Sequence, residues 1–329
     1  MTARIIDTHA HYFPKPYLEL LATDRGKKLG FGYHSVPGGF MIETPGGMRG
    51  PQPEKYHNLD LRLADMNAQG VTMQGLSLTA PMVYWADGEF SLDLCKAYND
   101  SASACAQQYP DRFYGYMTLP VLDTDRALGE MARAAKLPGI KGVYMGTNIE
   151  GRDLSDPLFE PVYEAVAALK LPIFLHPIKP LGGPRFKLFH LGNLIGNPTE
   201  AAAAAAHLIF GGVLDRYPAL EVSLPHAGGS LPILIGRYDH GYRVRKEMKH
   251  MPKPPSEYLR RFTYDTITHS PEILKNLAAL VGADRILLGS DYCADMGSTD
   301  PVRIVDEAGF AAQDRARILT DNAVKLLNL

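Results

Sequence analysis

The stretch Ile5-Ile6-Asp7-Thr8-His9-Ala10-His11 places two histidines two positions apart, directly after an apolar run. Successive residues of a β-strand point to opposite faces, so His9 and His11 point the same way and can bind one ion between them. Three further sites follow short apolar runs later in the chain: Leu175-His176-Pro177, Pro225-His226-Ala227-Gly228-Gly229 and Gly289-Ser290-Asp291-Tyr292. This order predicts one site that is assembled from the ends of several strands.

The residue types at these positions favour a divalent metal. A borderline cation such as zinc binds imidazole nitrogen and carboxylate oxygen. His176 and Asp291 would complete a set begun by His9 and His11, and one position would stay open for water or substrate. The alternative is that each histidine is an ordinary core or rim residue, as a single histidine after an apolar run usually is. The spaced pair together with further strand-end residues favours the metal site.

Strand-like and helical segments alternate along the whole chain. The predicted strands are Arg4–Asp7, Gly75–Thr79, Phe113–Thr118, Gly142–Gly146, Pro172–His176, Leu220–Pro225, Phe262–Asp265 and Arg285–Ser290. The predicted helices between them are Leu59–Gln69, Phe90–Gln108, Thr124–Lys136, Leu158–Leu169, Thr199–Tyr217, Leu231–Lys249 and Pro271–Val281. Eight such repeats predict an α/β fold, a parallel (β/α)8 TIM-like barrel. Its active site would lie at the carboxyl ends of the strands.

Several local features refine this prediction. Asp156-Pro157 and Ser270-Pro271 have the composition of helix starts, and the alanines of Ala201–Ala206 predict a closely packed helix face. Residues 21–57 do not fit the alternation, and they predict a small β-ribbon inserted after the first strand, over the barrel mouth. A final helix is expected at about Asp314–Leu327. The interpretation is a single domain over residues 1–329.

Composition excludes several classes of partner. The 329 residues carry a net charge of −2, which gives no basis for binding nucleic acid or an anionic membrane surface. No apolar run approaches the length of a membrane span, and no signal segment precedes the first strand. Cys95, Cys105 and Cys293 are odd in number and widely spaced, which favours reduced thiols in a cytoplasmic protein.

The motifs resemble those of the amidohydrolase superfamily, of the amidohydrolase 2 type. Within it, the chain is similar to the branch of 2-amino-3-carboxymuconate-6-semialdehyde decarboxylase and related metal-dependent decarboxylases. The resemblance rests on the four motifs quoted above and on scattered agreements that run nearly end to end. Among these are Asp111-Arg112-Phe113, Asp156-Pro157-Leu158-Phe159, Gly211-Gly212-Val213 and Gly236-Arg237-Tyr238-Asp239-His240-Gly241.

The resemblance implies roles for particular residues. It implies a mononuclear site with His9, His11, His176 and Asp291 as ligands, zinc in some members and manganese in others. It makes His226 a catalytic base beside the metal-bound water, and Asp291 the proton donor in the aromatic decarboxylases. It makes Arg237 a binder of the substrate carboxylate that reaches across a homodimer interface.

Many superfamily members carry a lysine at the end of the fourth barrel strand that bridges two metals. In this sequence Lys141 precedes the predicted fourth strand instead. Because the resembled branch has one metal, we interpret Lys141 as an ordinary lysine.

The chain departs from the branch around the expected substrate. Cys293-Ala294-Asp295-Met296 replaces a segment of Pro-Phe-Pro type, and His190 aligns where the branch has an aromatic residue, typically tryptophan. Pro53 falls at the position of a substrate arginine, and only a gap in the alignment brings Arg49 there. We take Arg49 and His190 as candidate substrate-binding residues, with Arg237. The metal chemistry is retained while the pocket differs, so the substrate stays open.

The first functional hypothesis is a metal-dependent, non-oxidative decarboxylase, a carbon–carbon lyase, of an unsaturated or aromatic carboxylic acid. The alternative keeps the site and the metal-bound water but hydrolyses an amide, lactone or C–C bond, or hydrates an unsaturated acid. A metal-binding protein without catalysis is the third, and the open coordination position and His226 argue against it.

Overall fold

The computed structural model of the protein describes residues 4–329. Its strands, in chain order, are β1 (Ile6–His11), β2 (Gly32–Val36), β3 (Gly39–Thr44), β4 (Gly47–Pro53), β5 (Met73–Ser77), β6 (Phe113–Met117), β7 (Ile140–Gly146), β8 (Asn148–Ile149), β9 (Arg152–Asp153), β10 (Ile173–His176), β11 (Val222–Leu224), β12 (Phe262–Asp265) and β13 (Ile286–Leu287).

The helices alternate with these strands. They are α1 (Lys15–Leu21), α2 (Asp24–Lys28), α3 (Leu59–Ala68), α4 (Gly88–Gln108), α5 (Thr124–Ala134), α6 (Glu160–Leu169), α7 (Asn197–Phe210), α8 (Val213–Arg216), α9 (Leu231–Val244), α10 (Pro271–Val281), α11 (Pro301–Glu307), α12 (Ala312–Ala316) and α13 (Asn322–Leu327). None of the helices in residues 4–329 combines the length and the apolar character needed to cross a lipid bilayer.

Eight of the strands form one parallel sheet in the order β1-β5-β6-β7-β10-β11-β12-β13. The segment that follows β13 returns to β1, because Tyr292 bridges Ala10 and its carbonyl accepts the His11 amide at 2.5 Å. Sequential parallel strands joined through helices, with the last returning to the first, are the topology of a (β/α)8 barrel. The predicted fold class is confirmed.

Two compact units divide the chain. The first runs up to Tyr144 and includes Gly289–Val302, and the second consists of Met145–Leu288 and Arg303–Leu329. In the first unit, the insertion after β1 folds as a three-stranded antiparallel sheet, β2-β3-β4. Phe40 of β3 is fully buried and lies 5.9 Å from the ring of Phe13. The predicted β-ribbon is therefore a small three-stranded sheet whose Phe40 packs against Phe13, two residues after β1, and its position over the barrel mouth stays a prediction.

The second unit has a helix core of small side chains. Four alanines of α7 are fully buried or nearly so: Ala201, Ala202, Ala204 and Ala205. Side chains of this size allow neighbouring backbone to approach closely, as the alanine run predicted.

Two helix starts have the predicted capping hydrogen bonds. The Asp156 carboxylate accepts the Leu158 amide at 2.9 Å, and the Ser270 hydroxyl accepts the Ile273 amide at 3.3 Å. Both predicted helix starts are confirmed.

Some boundaries differ from the sequence-based prediction. β1 continues to His11 instead of ending at Asp7, because its far end pairs with both β5 and Tyr292. The helix predicted over Thr199–Tyr217 is two helices, since Gly212 has a φ of +70° and interrupts the run. α9 ends at Val244 because Arg245 is extended. The prediction that residues 1–329 form a single domain stays a prediction.

Candidate metal centre

A buried carboxylate fixes the strand that carries the first two histidines. Asp7 is fully buried and accepts the His9 amide at 3.1 Å, the Ser290 amide at 3.0 Å and the Gln74 side-chain amide at 2.9 Å. The Ser290 hydroxyl donates to it at 2.5 Å. Burial raises the pKa of Asp7 above its usual value, and these hydrogen bonds lower it in part. Asp7 therefore ties β1 to the residue that precedes Asp291.

His9, His11 and Asp291 converge around one point. The Nε2 atom of His11 lies 2.8 Å from Oδ1 of Asp291, and Nε2 of His9 lies 3.5 Å from the same oxygen. The Asp291 amide donates to the His9 carbonyl at 2.8 Å. All three side chains are at least nine-tenths buried. Alternation along β1 thus brings both imidazoles to one side, as the sequence predicted.

Hydrogen bonds at the far ring nitrogens select the tautomer. Ser77 donates its single hydroxyl proton to the Ala10 carbonyl at 2.9 Å, so its oxygen accepts from Nδ1–H of His11 at 3.0 Å. Nδ1 of His176 lies 3.0 Å from the Pro177 carbonyl, which can only accept. In both rings Nε2 is then the nitrogen that carries no proton. Such outer partners usually orient metal-binding histidines.

The four predicted ligands form one cluster. His9, His11, His176 and Asp291 each offer one ligand atom, and these atoms all lie within 4.8 Å of one another. A tetrahedral ion with ligands at about 2.1 Å holds them about 3.4 Å apart, close to the His9–Asp291 separation. Three imidazoles and one carboxylate, all buried, fit a divalent ion. Lys141 lies inside β7, which begins at Ile140, and not before the strand as the sequence-based bounds placed it; its interpretation as an ordinary lysine stays a prediction.

A buried arginine, Arg62, donates hydrogen bonds to β1 and to its neighbour β5. Arg62 of α3 is fully buried, donates to the His11 carbonyl and to the Gln74 side chain, and lies 4.7 Å from the ring centre of Tyr292. The Tyr292 hydroxyl in turn donates to Asp65 at 2.8 Å. The guanidinium therefore contacts the backbone of one predicted ligand, His11, and the ring of the residue that follows another, Asp291.

His226 lies on a tight turn in the second unit. It begins a one-turn 3₁₀ segment, His226–Gly228, with a positive φ of 51°. Its ring centre lies 6.0 Å from that of His176. Its amide donates to the Asp265 carboxylate at 2.8 Å. His226 thus lies next to one of the predicted ligands without belonging to the cluster.

The three candidate substrate residues are exposed. Arg237 lies on α9 and makes no side-chain hydrogen bond or ion pair with residues 4–329. Arg49 lies on β4 opposite Ile42. His190 lies in the long connection after β10, in left-handed backbone with a φ of 58°. These positions leave the substrate roles of all three as proposals.

The segment that departs from the resembled branch borders a cavity. Cys293 and Ala294 line a space of about 300 Å³ together with Lys55 and Asp65, which pair at 2.6 Å. Burial raises the pKa of the Cys293 thiol to about 12, so the thiol stays neutral near pH 7. Cys293 therefore contributes shape to this space and not a nucleophile.

Sequence reasoning missed three supporting residues, Arg62, Gln74 and Asp265. A signal existed for two of them. Arg62 stands three and four positions from Leu59 and Met66, on the inward side of a predicted helix. Asp265 is an acid at the end of a predicted strand. Gln74 gave no signal, because the strand was predicted to begin at Gly75, one residue after it, whereas β5 begins at Met73.

Comparison with known proteins gives this site a family. The amidohydrolase family profile matches residues 6–329. The chain belongs to the amidohydrolase family. It is 32% identical to the 2-amino-3-carboxymuconate-6-semialdehyde decarboxylase of Dictyostelium discoideum, over 98% of this chain and 91% of the relative.

Two solved structures extend the amidohydrolase comparison. The 5-carboxyvanillate decarboxylase of Sphingomonas paucimobilis is 25% identical with a TM-score of 0.85, and the match covers 100% of both chains. The 5-carboxyvanillate decarboxylase of Novosphingobium aromaticivorans, solved with manganese bound, has a TM-score of 0.80 at 23% identity and covers 100% and 98% of the two chains. The chain is an enzyme of this superfamily, a metal-dependent, non-oxidative carboxy-lyase.

Replacing His176 by Ala should remove the metal and not merely slow turnover. Loss of a residue that only hydrogen-bonds to a metal ligand lowers metal affinity about 10–100-fold. Loss of a ligand itself should therefore lower the affinity by more than about 100-fold. The test is the number of metal ions per chain after gel filtration, measured by elemental mass spectrometry. His207→Ala is the matched control, since His207 is half-exposed and bonded to Ser155. Full metal retention by His176→Ala would remove His176 from the ligand set.

Proposed function

We propose that the protein decarboxylates an unsaturated or aromatic carboxylic acid without an oxidant. The observation that carries this proposal is the buried cluster of three histidines and one aspartate, within a chain whose relatives are decarboxylases. We further propose His9, His11, His176 and Asp291 as the ligands of one divalent ion, with zinc as the metal and manganese as the alternative. Imidazole-rich sets suit zinc, and manganese is the ion held by the Novosphingobium enzyme.

Such an ion would supply Lewis-acid chemistry, by polarising a substrate oxygen and by lowering the pKa of a water molecule. The protein's own groups must manage the proton. When the bond to the carboxylate breaks, carbon dioxide leaves and the electron pair stays on the substrate carbon, which then needs a proton. We propose that the imidazole of His226 moves this proton, because imidazole changes charge near neutral pH. The Asp291 carboxyl is the second candidate donor for an aromatic substrate.

Arginine is the proposed anchor of the carboxylate. A guanidinium presents two N–H groups that match the two oxygens of a carboxylate. Arg237 supports this role because it is exposed and makes no side-chain pair within residues 4–329. Arg49 is the second proposed anchor. His190 is proposed to contact the rest of the substrate, where the resembled branch has an aromatic residue.

We propose that the active unit is a homodimer formed through α9. This helix exposes 86% of Ile233 and 57% of Val244, and only Leu231 within it is buried. Tyr238 and Arg237 add residue types that are enriched at the centres of interfaces. A two-fold axis at the exposed face of α9 would bring this helix into contact with the same helix of the second subunit.

The proposed compartment is the cytoplasm. Cys95, Cys105 and Cys293 are all free thiols, and reduced thiols are typical of cytoplasmic proteins.

The decarboxylase proposal predicts carbon dioxide as a product. Purified protein should be incubated with 2-hydroxybenzoates and with unsaturated semialdehyde acids, and carbon dioxide should be measured beside the organic product. Turnover should disappear on chelation and return with Zn²⁺ or Mn²⁺, since the added ion restores the Lewis acid. A product formed by water addition or bond hydrolysis, with no carbon dioxide, would contradict this proposal.

Replacing His226 by Ala should separate proton transfer from metal binding. We expect wild-type metal content and a fall in kcat of about 10²–10⁴-fold, the usual contribution of a positioned acid or base. His207→Ala again serves as the control that removes an imidazole elsewhere in the second unit. Equal loss of metal would instead make His226 a ligand.

Mixing two inactive proteins tests whether Arg237 acts across the interface. Arg237→Ala and His176→Ala subunits should form hybrid dimers in which one pocket holds both intact residues. Random exchange makes half the dimers hybrid, so activity should return to about one quarter of wild type. Absence of recovery after subunit exchange, shown by native mass spectrometry, would place Arg237 in its own subunit's pocket or outside the chemistry.

A further inference from the structure

Four consecutive residues at the proposed proton-transfer site have left-handed backbone. The φ values of His226, Ala227, Gly228 and Gly229 are 51°, 57°, 77° and 59°. Glycine adopts this region without steric cost. At Gly229 there is also no room for a side chain, because an added Cβ would lie 1.9 Å from the Pro198 carbonyl oxygen. His226 and Ala227 have no such freedom, so the surrounding structure must hold them there.

One buried carboxylate holds both of these residues. Oδ2 of Asp265 accepts the His226 amide at 2.8 Å, and Oδ1 accepts the Ala227 amide at 2.8 Å. Oδ1 also accepts the Ile267 amide at 3.1 Å. Asp265 ends β12 and is 3% exposed. Successive amides in such a turn form a concave site for an anion, and hydrogen bonds to a charged acceptor are stronger than neutral ones.

We propose that Asp265 is the positioning residue of His226. Its carboxylate fixes the left-handed turn through the two amides, and the turn fixes where the imidazole of His226 is presented. The inference rests on the proposed proton-transfer role of His226. Asp265 itself is not one of the four clustered ligands, so its effect should reach the reaction through the turn.

A purely structural role is the competing explanation. Asp265 could stabilise the second unit as any buried carboxylate does, with no particular effect on His226. The two explanations differ in what a substitution changes. A positioning role predicts loss of kcat with intact metal content and KM, whereas a structural role predicts loss of stability alone.

The test is the metal-loaded Asp265→Asn protein. Asparagine keeps one acceptor oxygen and turns an NH₂ group towards the second amide, so the turn should shift at nearly unchanged volume. We expect kcat to fall about 100-fold, because a displacement of about 1 Å at a catalytic group has that effect. Metal content should stay at the wild-type level and KM should stay within about threefold. Deuterium uptake by the peptide containing residues 226–229 should become faster.

Glu130→Gln is the matched control for loss of a buried carboxylate. Glu130 of α5 is 2% exposed and accepts hydrogen bonds from Asn99 at 2.7 Å and from Arg133 at 2.7 Å. It belongs to the first unit, whereas the His226 turn belongs to the second. This variant should lower the melting temperature while kcat and deuterium uptake at residues 226–229 stay as in wild type.

A second substitution tests the cause directly. Glycine at position 227 accepts the left-handed conformation without help, so adding Ala227→Gly to Asp265→Asn should recover about tenfold of the lost kcat. Unchanged kcat and uptake in Asp265→Asn would overturn the proposal. So would loss of metal together with kcat, or a double variant no better than the single one. If His226→Ala stays active, the proposed proton-transfer role of His226 is wrong instead. Deuterium uptake at residues 226–229 in Asp265→Asn then still shows whether Asp265 fixes the turn.

Discussion

The buried carboxylate of Asp7 is the constraint on which the first half of the site depends. It accepts hydrogen bonds from the His9 amide and from the Ser290 amide and hydroxyl, so it joins β1 to the segment that carries Asp291. Each hydrogen bond to a charged acceptor contributes about 1.5–3 kcal/mol, and an unpaired buried charge is strongly unfavourable. The separation of Nε2 of His11 and Oδ1 of Asp291, 2.8 Å, follows from this connection and from the bridge between β1 and Tyr292.

The second unit uses the same device. The Asp265 carboxylate accepts hydrogen bonds from two consecutive amides of the His226 turn. The Asp7 carboxylate likewise accepts the amide of His9 in β1 and the amide of Ser290. In both cases a carboxylate with almost no exposure satisfies backbone donors that no sheet or helix satisfies. The side chains proposed for chemistry are therefore held by backbone geometry, and the groups that hold it are not themselves in the ligand cluster.

Much of the fold followed from pattern alone. Phe262–Asp265 and Pro271–Val281 have the predicted bounds, because an uninterrupted apolar run and a capped helix start are local signals. The prediction failed where tertiary contacts decide the ends. β1 runs four residues beyond its predicted end because pairing with β5 and Tyr292 supports polar residues such as His9 and His11 in a strand. The helices α1, α2 and α11 were missed since short helices carry little periodicity.

By itself, the sequence determined which four residues form the cluster of proposed ligands, because strand alternation and position at strand ends are properties of local order. It also determined the parallel (β/α)8 class. Only the tertiary structure decided which groups hold these residues in place. Arg62 and Gln74 act through partners that are 12 to 67 positions away in the chain. The partners of Asp265 in the His226 turn are 38 and 39 positions away. Hydrogen bonds between distant segments leave no periodic trace in a single chain, because either partner alone is compatible with many surroundings.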